Sequence, residues 1–228
     1  MPILIALGGL LLLALIFGPS WWVRRVMARH AVERPDFPGT GGELARHLLD
    51  AGGLADVSVE ETAPGTDHYD PLARAVRLSP DNLRGRSITA VAVAAHEVGH
   101  AFQHRDGDPF LVARTRWANH LAIVDRIGFV LLLSIPIVAV AVKSPAIALA
   151  QVAALVLLMG SRILVHVLTL PIEIDASFRR ALPLLADGGY LHPDDVPAAR
   201  SVLKAAAATY VAGALATLLD VMRWLRFA

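Results

Sequence analysis

Three residues able to support hydrolytic chemistry stand in one run, His96-Glu97-Val98-Gly99-His100. If this run is helical, His96 and His100 lie one turn apart on the same face and can bind a single Zn²⁺ through their imidazoles. The carboxylate of Glu97 can then take a proton from an attacking water molecule and pass it to a leaving amine. With nine His and six Glu in 228 residues, the pattern arises by chance with a probability of about 0.01. Two solvated histidines are the alternative, which the apolar flanks disfavour because unpaired polar groups are costly there.

A third ligand is needed, because a catalytic zinc ion keeps three protein ligands and one open position. Glu173, in the mostly apolar run PIEIDAS at 171–177, is the candidate, and a surface carboxylate is the alternative. Asp175 is the rival ligand, although we expect it to accept a hydrogen bond from a ligating histidine instead. His104, one turn after His100, is interpreted as solvated or as a residue that supports a ligand.

Two further polar clusters have both a catalytic and a structural interpretation. In the run DHYDP at 67–71, His68 or Tyr69 could lie near the zinc ion and stabilise the oxyanion, or the run could be a turn rich in Asp and Pro. Arg179 and Arg180 could bind an oxyanion or a carboxylate. Alternatively, they are basic residues that flank a membrane span, which we prefer for at least one of them.

The elements that must position these residues can be read from periodicity and capping signals. Ser87 is an N-cap candidate for a helix over 88–103, which is apolar nearly all round and is therefore predicted to be central and buried. A helix over 43–51 precedes it, and residues 57–61 and 74–78 alternate as strands. We predict a small sheet in which these strands form an antiparallel hairpin, with residues 76–78 as the edge that could bind a peptide backbone by strand addition.

The composition indicates a membrane protein. Apolar residues make up 55% of the chain and charged residues only 18%, with a mean hydropathy of +0.54. Apolar stretches at 3–17, 121–142 and 146–171 have lengths suited to membrane spans. A cleaved signal peptide is the alternative for the first stretch, but its basic residues follow the apolar run instead of preceding it. Residues 205–222 could form a fourth span or a helix packed on the domain.

The basic residues near the predicted spans indicate an orientation. Arg24, Arg25 and Arg29 follow the first span, and Lys143 lies between the second and third spans. By the positive-inside rule, residues 24–120 and 172–204 lie together on the cytoplasmic face, and Lys143 lies on the opposite side. The net charge of +1 gives no bias towards nucleic acid, and the absence of cysteine excludes disulfides and thiolate ligands.

The predicted fold is a mainly α membrane protein with transmembrane helices and a small β-sheet in the catalytic part. We divide the chain into an N-terminal transmembrane anchor (1–23), a catalytic domain (24–120), a transmembrane helical hairpin (121–171) and a C-terminal helical part that supplies the third ligand (172–228).

Several blocks of the chain, in order, resemble the YugP-like bacterial neutral zinc metallopeptidases. The blocks are GTGGELARHLLDAGG, VSVE, GTDHYDP, VRLS, AVAVAAHEVGHAFQ and PIEIDAS. The resemblance covers nearly the whole chain after the first span and implies zinc binding by His96, His100 and Glu173, with Glu97 as the general base. It also implies a gluzincin-like core among membrane helices. The chain is more distantly similar to prenyl-protein and heat-shock membrane peptidases, which have an Asp where this chain has Ser177, so we expect Asp175 to substitute for it.

These observations predict a membrane-bound, zinc-dependent endopeptidase of the bacterial inner membrane that acts on a peptide or protein substrate, with its catalytic domain in the cytoplasm. A membrane scaffold that keeps a structural zinc site without proteolysis is the first alternative. A zinc hydrolase acting on a non-peptide amide is the second.

Overall fold

The computed structural model describes residues 2–142 and 144–225. These residues form eight α-helices, a three-stranded sheet, a π-helical segment and a 3-10 turn. They divide into two compact units. One unit contains the described residues up to Pro19, Ala113–Thr169 and the described residues from Tyr210 onwards. The other contains Ser20–Val112 and Leu170–Thr209. Lys143, used above to predict the orientation, lies outside the described residues.

The first unit is built from parts of four long helices. They are α1 (Pro2–Arg29), α5 (Pro109–Val142), α6 (Pro145–Ile174) and α8 (Val196–Leu225). Helices α5 and α6 follow one another in the chain, and Gln151 of α6 donates a hydrogen bond to Ser134 of α5 at 3.0 Å. Large apolar side chains such as Leu10, Val140 and Leu157 are exposed on these helices. Surfaces of this kind are typical of contact with lipid or a partner.

Among the described residues, one helix is long and apolar enough to cross a bilayer, over Leu7–Arg29. Helices α5 and α6 contain shorter apolar stretches, Arg126–Val142 and Pro145–Leu158. The N-terminal apolar helix therefore supports membrane association, whereas the multi-pass arrangement stays a prediction.

The second unit contains the sheet and the shorter helices. Besides α4 (Ile88–Arg105) and the adjoining ends of α1, α5, α6 and α8, its elements are α2 (Gly41–Ala51), β1 (Ser58–Glu61), β2 (His68–Asp70), β3 (Ala75–Leu78), α3 (Pro80–Arg84), the π-helical segment (Asp175–Ala181), α7 (Leu182–Asp187) and the 3-10 turn (Pro193–Asp195). One core joins them, and its fully buried members include Leu49, Val76, Val98, Leu185 and Leu203.

Helix α4 (Ile88–Arg105) lies at the centre of this core. Every residue from Ile88 to Gln103 is buried, and the Ser87 hydroxyl caps the helix by accepting a hydrogen bond from the backbone N–H of Ala90 at 3.1 Å. The predicted N-cap and the predicted central position are therefore confirmed. A helix with apolar residues on every side is stable only when other elements pack against every side.

Helix α2 begins with a capping box, in which Thr40 and Glu43 each accept a hydrogen bond from the other's backbone N–H. Gly41, the first residue of this helix, is needed for close packing. A Cβ atom on Gly41 would lie 2.3 Å from the carbonyl oxygen of Asn82 and 2.7 Å from that of Ala90. The run GTGGE is therefore a helix start that lets α2 approach α3 and α4 closely.

The predicted pairing of the strands is wrong. Strand β1 pairs with β3 in parallel, and β2 pairs with β3 antiparallel, so the sheet order is β1-β3-β2. Residues 62–73, which separate the two predicted strands, contain β2, so the chain reverses once more before β3. The prediction that residues 76–78 form an edge is wrong for the same reason, because they lie in the central strand.

Candidate metal centre

The two histidines of the HExxH run face the same point. Helix α4 is regular through His96 and His100, whose side chains are 4% and 5% exposed. Their ring centroids lie 4.7 Å apart with the ring planes at 78°. The spacing of one helical turn therefore brings both Nε2 atoms towards one location, as the motif predicts.

Glu173 completes this cluster from helix α6, next to its C-terminal residue. Its carboxylate oxygen Oε2 lies 3.2 Å from His96 Nε2 and 3.3 Å from His100 Nε2. The Glu173 side chain is fully buried, and the candidate ligand atoms of the three residues all lie within 4.8 Å of one another. The structure thus brings together the three residues expected to bind the metal.

Both imidazoles are hydrogen-bonded through Nδ1, whereas their Nε2 atoms face Glu173. The Ser177 hydroxyl lies 3.0 Å from His96 Nδ1 and donates its proton to the carbonyl oxygen of Leu203 at 3.2 Å. With its proton used there, the hydroxyl accepts from His96 Nδ1–H, which leaves Nε2 with its lone pair. On the other ring, His100 Nδ1 lies 2.8 Å from the Gln103 side-chain oxygen.

These contacts correct the expectation for Asp175. Its Oδ2 atom accepts hydrogen bonds from Gln103 Nε2 at 2.9 Å and from Arg180 Nε at 2.8 Å, so it does not bond a ligating histidine directly. The Gln103 side chain lies between His100 and Asp175 and bridges α4 and the segment after Glu173. The expectation that Asp175 substitutes for the missing Asp is also wrong, since Ser177 itself contacts His96.

A π-helical segment (Asp175–Ala181) begins two residues after Glu173, directly after the end of α6. Such segments are rare and frequently occur at functional sites. Here the wider turn brings Arg180, five residues after Asp175, onto the Asp175 carboxylate. Arg180 also pairs with Asp106 Oδ2 at 2.6 Å. The Arg180 guanidinium therefore pairs with two carboxylates, whereas the side chain of Arg179 is 81% exposed.

The electrostatics of the cluster favour a charged carboxylate. Burial raises the pKa of Glu173, but His100 and His96, when their rings are protonated, lower it by more through charge and hydrogen bonds, so the pKa lies below its usual range. Burial also raises the pKa of Asp175, and the hydrogen bonds from Arg180 and Gln103 lower it by more, so that its pKa too is below its usual range. Both carboxylates are therefore ionised at neutral pH.

The donor set and its spacing fit a zinc ion. Two atoms bound to one tetrahedral zinc ion at about 2.0–2.1 Å lie about 3.3–3.4 Å apart. The Glu173 oxygen is 3.2 and 3.3 Å from the two imidazole nitrogens. Two imidazoles and one carboxylate, buried and oriented by outer hydrogen bonds, are also the ligand types of catalytic zinc sites.

Glu97, the predicted general base, is buried at 6% exposure next to His96 on α4. Glu97 directly follows His96 in the helix. Its burial separates the carboxylate from bulk water. A carboxylate placed this way can accept and return a proton beside the metal ligands.

His68 and Tyr69 point to opposite faces of β2, because successive side chains alternate along a strand. Tyr69 is buried and its hydroxyl lies 2.8 Å from His104 Nδ1 on α4, whereas His68 Nδ1 donates to the backbone oxygen of Thr66 at 2.7 Å. His104 is thus partly buried beside Tyr69 and not fully solvated. Of the two predicted catalytic residues, Tyr69 is the one that contacts the HExxH helix.

The two aspartates of the DHYDP run have structural roles. Asp67 accepts hydrogen bonds from the backbone and the hydroxyl of Ser79. Asp70 binds Arg77 and accepts from the backbone N–H groups of Leu72 and Ala73. The structural interpretation of this run therefore holds for its acids.

The chain matches, over residues 4–228, the model of a family described as "Putative neutral zinc metallopeptidase". The chain belongs to this family. A relative in Bacillus subtilis (strain 168), named "Putative membrane protease YugP", is 34% identical over 219 residues, which cover 93% of this chain and 91% of the relative. No solved structure matches the chain. The neutral zinc metallopeptidase family accounts for the donor set found here, and the resemblance noted in the sequence is confirmed.

Two residues of the candidate metal centre were not predicted from the sequence: Gln103, and Ser177 in its direct contact with His96. A signal for Gln103 existed: it is polar within an apolar helix and lies three residues after His100, where helix geometry places it next to that ring. Ser177 lies four residues after Glu173, and a short hydroxyl there gave no cue to its partner 81 positions away.

Gly99 sets the distance between the two parts of the site. A Cβ atom at this position would lie 2.8 Å from the backbone oxygen of Ala176 and 3.3 Å from its Cα atom. Because the contact is with backbone, Gly99→Ala must push α4 away from the π-helical segment. We expect a destabilisation of about 1–3 kcal/mol and weaker zinc binding, measured by thermal unfolding in detergent and by competition with a chelator.

Gly128→Ala is the matched control for this prediction. Gly128 is also buried within a helix, but its nearest neighbour would be Leu155 Cδ1 at 3.9 Å, which is ordinary contact. It should leave both measurements unchanged. If Gly99→Ala unfolds and binds zinc as the unsubstituted protein does, Gly99 does not set the spacing of the site.

Proposed function

We propose that this chain is a membrane-bound, zinc-dependent endopeptidase. The observation that carries the proposal is the convergence of His96 Nε2, His100 Nε2 and Glu173 Oε2 in a buried site. Membership of the zinc metallopeptidase family supports the same chemistry. These three residues would hold the ion.

A zinc ion held there would supply Lewis acidity, which would polarise the scissile carbonyl and lower the pKa of a water molecule. The protein supplies the proton transfers. Glu97 accepts a proton as water attacks the carbonyl carbon, and it donates that proton to the nitrogen as the C–N bond breaks. The burial of Glu97 and both histidines strengthens these electrostatic interactions by excluding solvent.

We further propose that Tyr69 stabilises the negative charge that develops on the carbonyl oxygen. Its hydroxyl is the group of β2 that reaches α4, where it contacts His104. Burial raises the pKa of Tyr69 and keeps it a neutral hydrogen-bond donor. His68 has a weaker case, because its ring is bound to the turn that precedes β2.

The substrate would bind as an extended chain along β2. With β3 in the centre of the sheet, β1 and β2 are the edges, and β2 is the edge whose Tyr69 packs against α4. An edge strand offers unpaired backbone groups to an extended peptide. A peptide on β2 would lie beside the helix that carries Glu97.

The proposed location is the bacterial inner membrane, in several passes, with the metal site on the cytoplasmic side. The apolar helix α1 supports the membrane association, and Arg25 lies over the ring of Trp21 at 5.4 Å near its C-terminal end. Aromatic and basic residues are enriched at that depth of a membrane protein. The relative from Bacillus subtilis is named as a membrane protease.

Glu97→Gln tests the reaction. We expect zinc to be retained, because the ligands are intact, and cleavage to fall by about 10²–10⁴-fold, because the proton acceptor is lost. Zinc content by mass spectrometry and cleavage of a substrate of the unsubstituted protein measure the two effects. His96→Ala is the control and should lose both. Loss of zinc from Glu97→Gln would favour the alternative of a scaffold with a structural zinc site.

Tyr69→Phe and His68→Ala together decide which residue of β2 acts on the substrate. We expect Tyr69→Phe to lower kcat by about 10²–10³-fold with zinc retained, as for the loss of one oxyanion donor. His68→Ala should change kcat little. The opposite ranking of the two variants would transfer the role to His68, and no effect of either would remove β2 from the mechanism.

The orientation can be measured with single cysteines, because the chain has none. We expect a Cys at Ser144, between α5 and α6, to react with a membrane-impermeant thiol reagent in bacterial spheroplasts. A Cys at the exposed Ser58 should react only after permeabilisation. The reverse pattern would place the metal site outside the cytoplasm, and equal labelling of both would contradict the membrane hairpin.

A further inference from the structure

Gln103 is an uncharged amide buried completely beside the metal centre. It makes three hydrogen bonds with partners from three different elements, α4, α6 and the π-helical segment. Its oxygen lies 2.8 Å from His100 Nδ1, and its nitrogen lies 2.8 Å from the backbone oxygen of Ile172 and 2.9 Å from Asp175 Oδ2. Burying an amide is costly unless its hydrogen bonds are made, and here both ends are engaged.

The partners fix the direction of each bond. A backbone carbonyl can only accept, so the amide nitrogen must face Ile172. Its second proton goes to Asp175 Oδ2, which also accepts from Arg180. The amide oxygen then faces His100 and can only accept. His100 must therefore carry a proton on Nδ1, which leaves the lone pair of Nε2 directed at Glu173.

The same amide connects the two chain segments of the site. Its acceptor oxygen holds a ring of α4, and its two protons hold the residue before Glu173 and the one two positions after it. The chain between these two acceptors carries the third candidate ligand. Gln103 thereby restrains the distance between His100 and the backbone of Glu173.

We propose that Gln103 is a positioning residue of the metal centre, which selects the His100 tautomer that can bind zinc and fastens α4 to the segment of Glu173. The inference rests on the proposed zinc site for its effect on metal affinity. It acts through His100 and does not itself touch the reacting atoms. Groups that orient a metal ligand from behind commonly change metal affinity when they are removed.

Ser177 provides a natural comparison within the same site. It holds His96 Nδ1 and is bound to the backbone oxygen of Leu203 on α8, so the two histidines are held by separate partners. A change at Gln103 should therefore alter the signal of His100 and spare that of His96. A change at Ser177 should do the opposite.

The experiment uses the full chain in detergent micelles with ¹⁵N-labelled histidine. Gln103→Met keeps the side-chain volume and removes both hydrogen-bonding ends, and Ser177→Ala is the reciprocal control. The measurements are the affinity for Zn²⁺ by chelator competition, the thermal unfolding temperature, and the solvent exchange of each Nδ1–H proton by NMR. The proton signals are recorded with and without zinc and are assigned with His96→Gln and His100→Gln.

In Gln103→Met we expect zinc affinity to fall by about 10–100-fold, with faster exchange of the His100 Nδ1–H proton and an unchanged His96 signal. Ser177→Ala should affect the His96 signal alone. A folded Gln103→Met protein with unchanged zinc affinity and an unchanged His100 signal overturns the proposal, even if its unfolding temperature falls. Equal changes at both histidines also overturn it.

Two features separate this inference from the proposed function. If the unsubstituted protein binds no zinc, the proposed function fails, but the His100 proton can still be read in the metal-free protein. If Gln103→Met does not fold, the unsubstituted protein decides: a slowly exchanging His100 Nδ1–H proton supports the assignment, and an unprotonated Nδ1 overturns it.

Discussion

The site depends on one electrostatic constraint, the convergence of three lone pairs in a buried space. The far nitrogen of each imidazole is engaged as a donor, so both Nε2 atoms present lone pairs to a carboxylate oxygen 3.2 and 3.3 Å away. Such a group is stable only with positive charge among its members. A divalent ion provides that charge without unsatisfied protons, and the spacing of the atoms suits a tetrahedral one.

The surrounding fold serves this constraint by fixing two pieces of chain that are distant in sequence, α4 and the segment that carries Glu173. Helix α4 is covered on all sides, so its two histidines cannot swing into solvent. Gly99 lets the π-helical segment approach the helix backbone, and Gln103 and Ser177 each tie one ring to that segment. The Asp175–Arg180–Asp106 ion pairs extend the ties to the end of α4. The candidate metal ligands are thus held by packing and hydrogen bonds together.

The sequence predicted the parts of the site that depend on local geometry. His96 and His100 follow from helical spacing alone, and the Ser87 cap and burial of α4 follow from its composition. Glu173 could be proposed because acids are rare in that apolar stretch. The strand pairing could not be predicted, since it depends on β2, a strand of three residues that resembles a turn. Gln103 and Ser177 were missed because their roles depend on contacts between distant segments, which periodicity does not encode.

The most direct test of the metal centre is zinc X-ray absorption spectroscopy on the purified full chain and on Glu173→Gln. We expect one zinc ion per chain with two imidazole nitrogens and at least one oxygen at about 2.0–2.2 Å, and we expect this environment to be lost in Glu173→Gln. An unchanged zinc environment in Glu173→Gln, or a zinc ion in the unsubstituted protein without two imidazole ligands, would contradict it.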